Sequence, residues 1–559
     1  MFVSLRNIFF DMIYPEIPLA QSVLQLFKAQ QIQHIVISPG SRNAPLTIGF
    51  SSDEYFQCYS IADERSAAFF ALGMARQLGQ SVALLCTSGS AVLNYYPAVA
   101  EAFYSQIPLI VCSADRPLAK IDIGDGQTIR QQNVLANHTV FNANLTENAS
   151  PENDFLIQQA IFEAQTKKGP VHINIPFEEP LYNTVEKLSY IAELTELPHP
   201  KNENVDLGKY QEKWAETKKI LVLIGSQQPN LLSDETIDKL AHSPNVVVMT
   251  EINSNVRNAR FVNHIDTLIT SFGEQEFTDL QPNILVTIGG MVVSKRIKAF
   301  LRKYSPKEHW HVDLLRAYDT FGVLSDEIKL SAEDFFNQMP EATTPSDYQQ
   351  NVVQLLEKRK EQHQRFLANV PYSDWSVYAE IWKNMPQNIR LEISNSAAIR
   401  YAQLFETPKN TEVFCNRGTS GIDGSTSTAI GSAVHSTKPT LFVTGDISFF
   451  YDSNALWNAY IPKNFKIILI NNGGGGIFRI LPGHQEKPNF NQYFETQHQL
   501  SAEYLAKMFG LDYLVAKDKN MLNDGLKTLW KTEKPVILEV FTPTKINNQI
   551  LKQYFESLK

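Results

Sequence analysis

Short runs of aliphatic and β-branched residues alternate along the chain with longer stretches in which apolar positions recur at helical spacing. HIVIS (34–38), SVALLCT (81–87), PLIVCSA (108–114) and PVHINIP (170–176) form one set of predicted strands. KILVLIG (219–225), NVVVMTE (245–251), NILVTIGG (283–290) and HWHVDL (309–314) form a second. RLEISN (390–395), EVFCNR (412–417), TLFVTGD (440–446), FKIILINN (465–472) and PVILEVF (535–541) form a third. Strands without polar alternation are buried on both faces, as in a parallel sheet covered by crossover helices. The pattern predicts an α/β fold of three doubly wound parallel-sheet domains. Polar, Pro-bearing stretches near 193–206 and 338–348 separate the sets and place the domains at 1–192, 193–345 and 346–559.

The first and third sets echo each other. The segment starting at Ser81 and the one starting at Pro439 both read as strand, small-residue turn, helix and strand, with Thr87 and Thr444 as equivalent positions. Each copy also ends in a Pro-Val strand. The chemistry differs, because Ser88 and Gly89 of the first copy stand where the third set has Gly445 and Asp446. Only the third set carries a carboxylate at that strand end.

Composition narrows the classes. At 559 residues with 43% hydrophobic and 11% aromatic side chains, the chain folds and has room for several cores. The net charge of −9 weighs against a nucleic-acid partner, so any anionic ligand must be held by a local cluster. No run approaches the roughly 20 apolar residues of a membrane span. Cys58, Cys86, Cys112 and Cys415 are widely spaced and read as buried thiols of a reducing compartment. The N-terminal apolar stretch is interrupted by Asp11 and lacks a cleavage signal, which predicts a cytoplasmic protein starting at Met1 or Met12.

Asp446 directly follows one predicted strand, while Asn471 and Asn472 end the next and lead into Gly473, Gly474, Gly475 and Gly476. Loops after neighbouring parallel strands share one sheet edge, where ligands of open α/β sheets bind. A carboxylate, an amide oxygen and a backbone carbonyl are hard donors suited to Mg²⁺, with phosphate oxygens and water completing an octahedron. Glycine lets the backbone approach phosphates closely. No G-x-x-x-x-G-K-[ST] or G-x-G-x-x-G is present, which disfavours phosphoryl-transfer and dinucleotide readings.

The Gly-Asp pair, followed 26 residues after Asp446 by Asn472, resembles the cofactor motif of thiamine-diphosphate enzymes, with Ile447 where a second glycine is usual. That resemblance implies thiamine diphosphate and Mg²⁺ as cofactors, with Mn²⁺ as an alternative metal. The implied metal ligands are Asp446, the Asn472 side chain and the Gly474 carbonyl. It also implies pyrimidine, middle and diphosphate domains, which accounts for the echo. Glu64, in IADERSAAFF at the start of an apolar helix, is the candidate carboxylate against the aminopyrimidine ring, and burial there would raise its pKa. Ile422 in NRGTSGIDG is the implied wedge that bends the cofactor. Ser396, Gly445, Ile447, Ser448, Ile477 and Phe478 complete the implied cofactor contacts.

Cations cluster at predicted strand ends: Arg42, Arg116, Arg130 beside Gln127, Arg400, Arg417, and Lys295 with Arg296. In a chain of net charge −9, this group points to a multiply anionic substrate gripped by guanidinium forks. SPGSRNAPL, DERSAAFF, TSGSAVLNYY, DRP, GDGQTIRQ, SKR, NRGTSGIDG, GDISFFYD and NNGGGGIF together resemble the menaquinone-pathway branch of the family. The branch implies decarboxylation of 2-oxoglutarate and 1,4-addition of the succinyl semialdehyde carbanion to isochorismate. It places Arg42, Arg116, Gln127, Lys295, Arg296, Arg400 and Arg417 around the substrate carboxylates, and Ile477 and Phe478 as an apolar wall. It further implies a homodimer at least, with a homotetramer expected, because the two domains that share a cofactor come from different subunits. Two alternatives stay open at the level of sequence: another 2-oxo acid carboligase of the acetolactate-synthase kind, and a non-catalytic ligand-binding relative. His34, His138 and His484 are possible proton carriers whose roles the sequence leaves open, a lone histidine being more often structural, and the HWH at 309–311 reads as strand alternation.

Overall fold

The computed structural model describes residues 13–198, 205–480 and 487–559. His484, Met1 and Met12 lie outside them. The strands in chain order are β1 (Tyr14–Pro15), β2 (His34–Ile37), β3 (Gln57–Ser60), β4 (Val82–Cys86), β5 (Leu109–Asp115), β6 (Phe141–Asn144), β7 (Val171–Pro176) and β8 (Thr184–Val185). The middle strands are β9 (Ile220–Ile224), β10 (Val246–Thr250), β11 (Ile284–Ile288), β12 (Glu308–Val312) and β13 (Leu324–Ile328). The last are β14 (Arg390–Ile393), β15 (Glu412–Phe414), β16 (Thr440–Gly445), β17 (Phe465–Asn471), β18 (Asp512–Ala516) and β19 (Val536–Phe541).

Three parallel sheets result, ordered β3-β2-β4-β5-β7-β6, β10-β9-β11-β12-β13 and β15-β14-β16-β17-β19-β18. The first and third sheets share one topology: second strand, first, third, fourth, sixth, fifth. The repeat visible in the sequence is thus a repeat of architecture. Central strands β4, β5, β17 and β19 carry the continuous apolar runs and are almost wholly buried. β6, β13 and β18, which the apolar pattern misses, are edge strands with half-exposed residues such as FNAN and LSDEI. An edge strand buries one face only, so its polar residues hide the signal.

The described chain packs as two compact units. One contains the first sheet together with Ser427–His435 and Asn454–Ile461; the other contains the second and third sheets. Within the first unit, the helix Glu64–Leu78 is capped by the Asp63 side chain on the Ser66 N–H and ends at Gly79, whose φ is 66°. Two glycines allow close helix approach there. A Cβ on Gly73 would lie 2.1 Å from the Thr428 carbonyl oxygen, and one on Gly431 would lie 2.0 Å from that of Phe70. The segment after β8, read from sequence as the start of a linker, is stapled down at its beginning. Gln21 Oε1 accepts from the Ser189 and Tyr190 N–H groups, and buried Asp154 accepts from the Glu193 N–H and the Tyr190 hydroxyl.

Candidate active site

At the C-terminal edge of the third sheet, β16 delivers Asp446 and β17 delivers Asn471 and Asn472. Asp446 is 3% exposed. Its Oδ2 accepts from the Gly473 and Gly474 N–H groups at 2.9 and 3.0 Å, and its Oδ1 from the Ile447 N–H at 2.7 Å. The aspartate and the glycine run are therefore one structural unit. His498 Nε2 stands 3.3 Å from Asp446 Oδ2.

Asn472 donates through Nδ2 to Asp374 Oδ2 at 2.9 Å. An ionised carboxylate only accepts, so this bond fixes the amide orientation and directs Oδ1 away from Asp374. Among the described residues that buried Oδ1 has no hydrogen-bond partner. A buried acceptor without a donor calls for an explanation, and a cation supplies one. Asp374 itself is buried at the start of the helix Asp374–Lys383 and takes a hydrogen bond from Thr542 Oγ1. Burial pushes its carboxyl up to about 6, opposed by the Thr542 and Asn472 bonds. Asn471 also meets the glycine run, its Oδ1 accepting from the Gly473 N–H at 3.2 Å, while its Nδ2 donates to Glu539 Oε1 and the Leu500 carbonyl.

Gly474 has φ 152°, and a Cβ there would lie 2.8 Å from the Glu495 carbonyl oxygen, so this position requires glycine. Its carbonyl accepts from the Gly476 N–H at 2.9 Å, which leaves a second lone pair. The run is strapped from outside, because the Gly475 N–H donates to the Glu495 carbonyl and Thr544 Oγ1 to that of Asn472. Buried Glu495 in turn pairs with Arg479. Ile477 and Phe478 follow on the short 3₁₀ turn Gly476–Arg479, both half-buried. At Gly445 a Cβ would meet nothing within 4 Å, so space is open beside the strand end.

A second loop is organised by Asn395, which donates to the Asn416 and Gly421 carbonyls, each at 2.7 Å, and accepts from Arg417 Nη1 at 2.8 Å. Half-buried Ile422 is held through its carbonyl by Ser448 Oγ at 2.7 Å, which ties this loop to the turn after β16. Ser396 has φ 70°, and its carbonyl accepts from Arg400 Nη1. Burial, reinforced by the neighbouring Arg417, pulls the Arg400 guanidinium below its ordinary value. The Arg417 Nε has no partner among the described residues.

In the same unit the second sheet contributes Lys295 and Arg296, both exposed, at the start of the helix Lys295–Lys303. Ser294 caps this helix and donates its hydroxyl to Asp266. Arg296 Nε is 3.9 Å from Asp266, and its guanidinium lies over the Phe555 ring. Behind the turn sits Glu251, only 1% exposed, with a carboxyl pushed up to about 7 by burial.

The first unit holds the remaining candidates. Glu64 opens its helix half-buried, rather than enclosed among hydrophobic groups as the sequence suggests, and accepts from Asn94 Nδ2 at 3.3 Å. The Cys86 thiol is pushed well up by burial and then by Glu64. Arg42 is buried, with Nη1 on the Phe177 carbonyl and Nη2 on Glu179, whose side chain is 63% exposed. Arg116 is half-buried, with an Nε that has no partner among the described residues. Gln127 is exposed, has φ 55°, and lies with its backbone against Gly89. His34 stacks edge-on to His435, and burial lowers it to about 4, while His138 shares a hydrogen bond with the Tyr96 hydroxyl.

Asp374, Asp266, Asn395 and His498 stand beside the candidate residues, and Glu251 behind the turn that bears two of them, with no local signal in the sequence. Asp374 reads locally as an ordinary first-turn helix acid, and Glu251 as the end of a strand. Only tertiary structure brings either to its partner.

Three family models match in succession: the N-terminal TPP binding domain of thiamine pyrophosphate enzymes over 17–138, the middle domain of thiamine pyrophosphate over 199–393, and the C-terminal TPP binding domain over 396–540. A 2-succinyl-5-enolpyruvyl-6-hydroxy-3-cyclohexene-1-carboxylate synthase of Flavobacterium psychrophilum is 58% identical over 549 residues, covering 98% of this chain and 100% of the relative. The synthase of the same name from Flavobacterium johnsoniae is 58% identical over 555 residues, with the same coverage. That of Bacteroides thetaiotaomicron is 37% identical over 556 residues, covering 96% of this chain and 98% of the relative.

Proposed function

The chain belongs to the 2-succinyl-5-enolpyruvyl-6-hydroxy-3-cyclohexene-1-carboxylate synthase family of thiamine pyrophosphate enzymes, and from that premise we propose how its residues divide the work. It is a thiamine-diphosphate-dependent synthase of menaquinone biosynthesis. The substrates are 2-oxoglutarate and isochorismate, both dianions. When bound, thiamine diphosphate supplies the electron sink that a 2-oxo acid needs to lose carbon dioxide and form a new carbon–carbon bond.

The observation that carries the residue assignment is the buried Asn472 Oδ1, left without a donor among the described residues beside a loop that also cradles Asp446. Asp446, Asn472 Oδ1 and the Gly474 carbonyl form a hard-oxygen set that fits Mg²⁺ and would hold the diphosphate through it, with Mn²⁺ as a substitute. Asp374 orients the amide; Gly445, Ile447 and Ser448 surround the strand end. Ile422 would pack against the cofactor, Ser396 would line its approach, and Ile477 and Phe478 would wall off water. Glu64 is the carboxylate that would exchange a proton with the aminopyrimidine ring.

Arg400, Arg417, Lys295 and Arg296 bind substrate carboxylates, where charge-assisted bonds orient the dianions. Arg116 and Gln127 are further candidates for binding a substrate carboxylate. Arg42 holds the SPGSR turn, and its exposed partner Glu179 is the arm a substrate carboxylate would displace. Such a protein works in the cytoplasm, as a homodimer at least and with a homotetramer expected, a state that sedimentation measures directly.

The test is to incubate the purified protein with Mg²⁺, thiamine diphosphate, 2-oxoglutarate and isochorismate and to analyse the product by mass. The adduct formed with loss of one carbon dioxide is expected. Equal consumption of 2-oxoglutarate without isochorismate, or reaction with pyruvate instead, would contradict the assignment.

A further inference from the structure

Glu251 touches none of the groups assigned above to substrate or cofactor, yet its carboxylate is placed to control two of them. It directly follows β10, and its Oε2 and Oε1 accept from the consecutive Val293 and Ser294 N–H groups at 2.6 and 2.7 Å. Those two residues immediately precede Lys295 and Arg296. Its own N–H donates to Ser254 Oγ, which donates onward to the Ile224 carbonyl at the end of β9. The next residue, Asn255, is paired with Val413 of β15 through both side-chain atoms. The glutamate is therefore pinned to the second and third sheets while it clamps the turn that starts the cation-bearing helix.

Two adjacent N–H donors need two acceptor oxygens on one side chain, which a carboxylate offers and an amide does not. Asp266 repeats the design one step further out, holding the Ser294 hydroxyl and facing Arg296. Glu251 also lies within electrostatic reach of Arg417 and Asp266, while Lys298 and Arg400 feel its charge in turn.

We propose that Glu251 is the positioning residue for the Lys295–Arg296 carboxylate grip, clamping the Val293–Ser294 amides so that both cations start their helix in the geometry the anionic substrate requires. The inference rests on the reading of Lys295 and Arg296 as substrate-binding. A carboxylate grip supplies binding shared by ground and transition states, so loss of the clamp raises KM more than it lowers kcat.

The experiment is steady-state kinetics at pH 8 on the full-length holoenzyme with Mg²⁺ and thiamine diphosphate, comparing wild type, Glu251→Gln, Glu251→Asp and the double variant Lys295→Ala/Arg296→Ala. The double variant is expected to raise KM for at least one of the two dianionic substrates by about tenfold or more, the scale of a lost charge-assisted contact. Glu251→Gln is expected to raise KM for that same substrate about tenfold, with kcat and thiamine diphosphate affinity within about threefold of wild type. Glu251→Asp keeps two acceptors one methylene back and is expected between the two. A raised KM in the double variant with wild-type KM in both Glu251 variants overturns the positioning role. Unchanged KM values in the double variant overturn the substrate reading, and the inference with it. Should Glu251→Gln fail to fold, Glu251→Asp and amide exchange on the wild type decide. Rapid exchange at Val293 and Ser294 in the holoenzyme contradicts the clamp.

Discussion

Replacing Asp374 by Asn tests the account of the metal site without touching any proposed ligand. The wild-type carboxylate accepts one bond from Asn472 Nδ2 at 2.9 Å and another from Thr542 Oγ1, and it has no hydrogen to give when ionised. In Asp374→Asn the Thr542 bond keeps the new carbonyl oxygen in place, which turns the new NH₂ toward Asn472. Two amide NH₂ groups then face each other, and the contact recovers only if Asn472 flips. The flip sends its NH₂ toward the cation and removes one oxygen from the coordination shell. Loss of an outer partner of a metal ligand weakens metal affinity by about 10- to 100-fold, or about 1.4 to 2.7 kcal/mol. Calorimetric titration of Mg²⁺ in saturating thiamine diphosphate measures this directly, with thermal unfolding as the control for stability. Wild-type Mg²⁺ affinity in a folded Asp374→Asn protein would refute the reasoning that this carboxylate sets the amide.

Three further outcomes are expected. Glu64→Gln abolishes turnover while Mg²⁺ and cofactor affinity stay within about threefold, because the amide keeps the shape but carries no exchangeable acid proton; turnover at wild-type rate would remove Glu64 from the mechanism. Glu251, raised from 4.5 to about 7 in the folded state, contributes stability that is complete below about pH 4.5 and is lost as pH rises through 7. Relative to Glu251→Gln, the wild type should therefore lose about 3 kcal/mol between pH 4.5 and 8, read from urea unfolding; parallel pH profiles would contradict it. Gly431→Ala puts a methyl 2.0 Å from the Phe70 carbonyl oxygen and should cost about 1 to 3 kcal/mol by overpacking, visible as a lower urea midpoint.

Much of the fold is legible in the sequence because a parallel sheet writes itself as continuous apolar runs. LLC of β4 and ILI of β17 are buried on both faces and carry no polar alternation. β6, β13 and β18 escape notice since edge strands mix polar and apolar residues for one solvated face. Asp446 and Asn472 stand out because topology makes their spacing meaningful: one follows β16, and the other follows the neighbouring β17. The Asn471 amide nitrogen turns to Glu539, 68 positions along the chain. Asp374 lies 98 positions from Asn472 and Glu251 lies 42 from Val293. No local pattern links such pairs, and only the packed loops bring them together.

The central claim is that Asp446 and Asn472 grip one cation. Crystals grown with Mn²⁺ and thiamine diphosphate, measured at the manganese absorption edge, test it most directly. The account predicts one anomalous peak within about 2.3 Å of an Asp446 carboxylate oxygen and of Asn472 Oδ1, with diphosphate oxygens completing the shell. A peak elsewhere, or a diphosphate held without metal while Asn472 Oδ1 faces a protein donor, would contradict it.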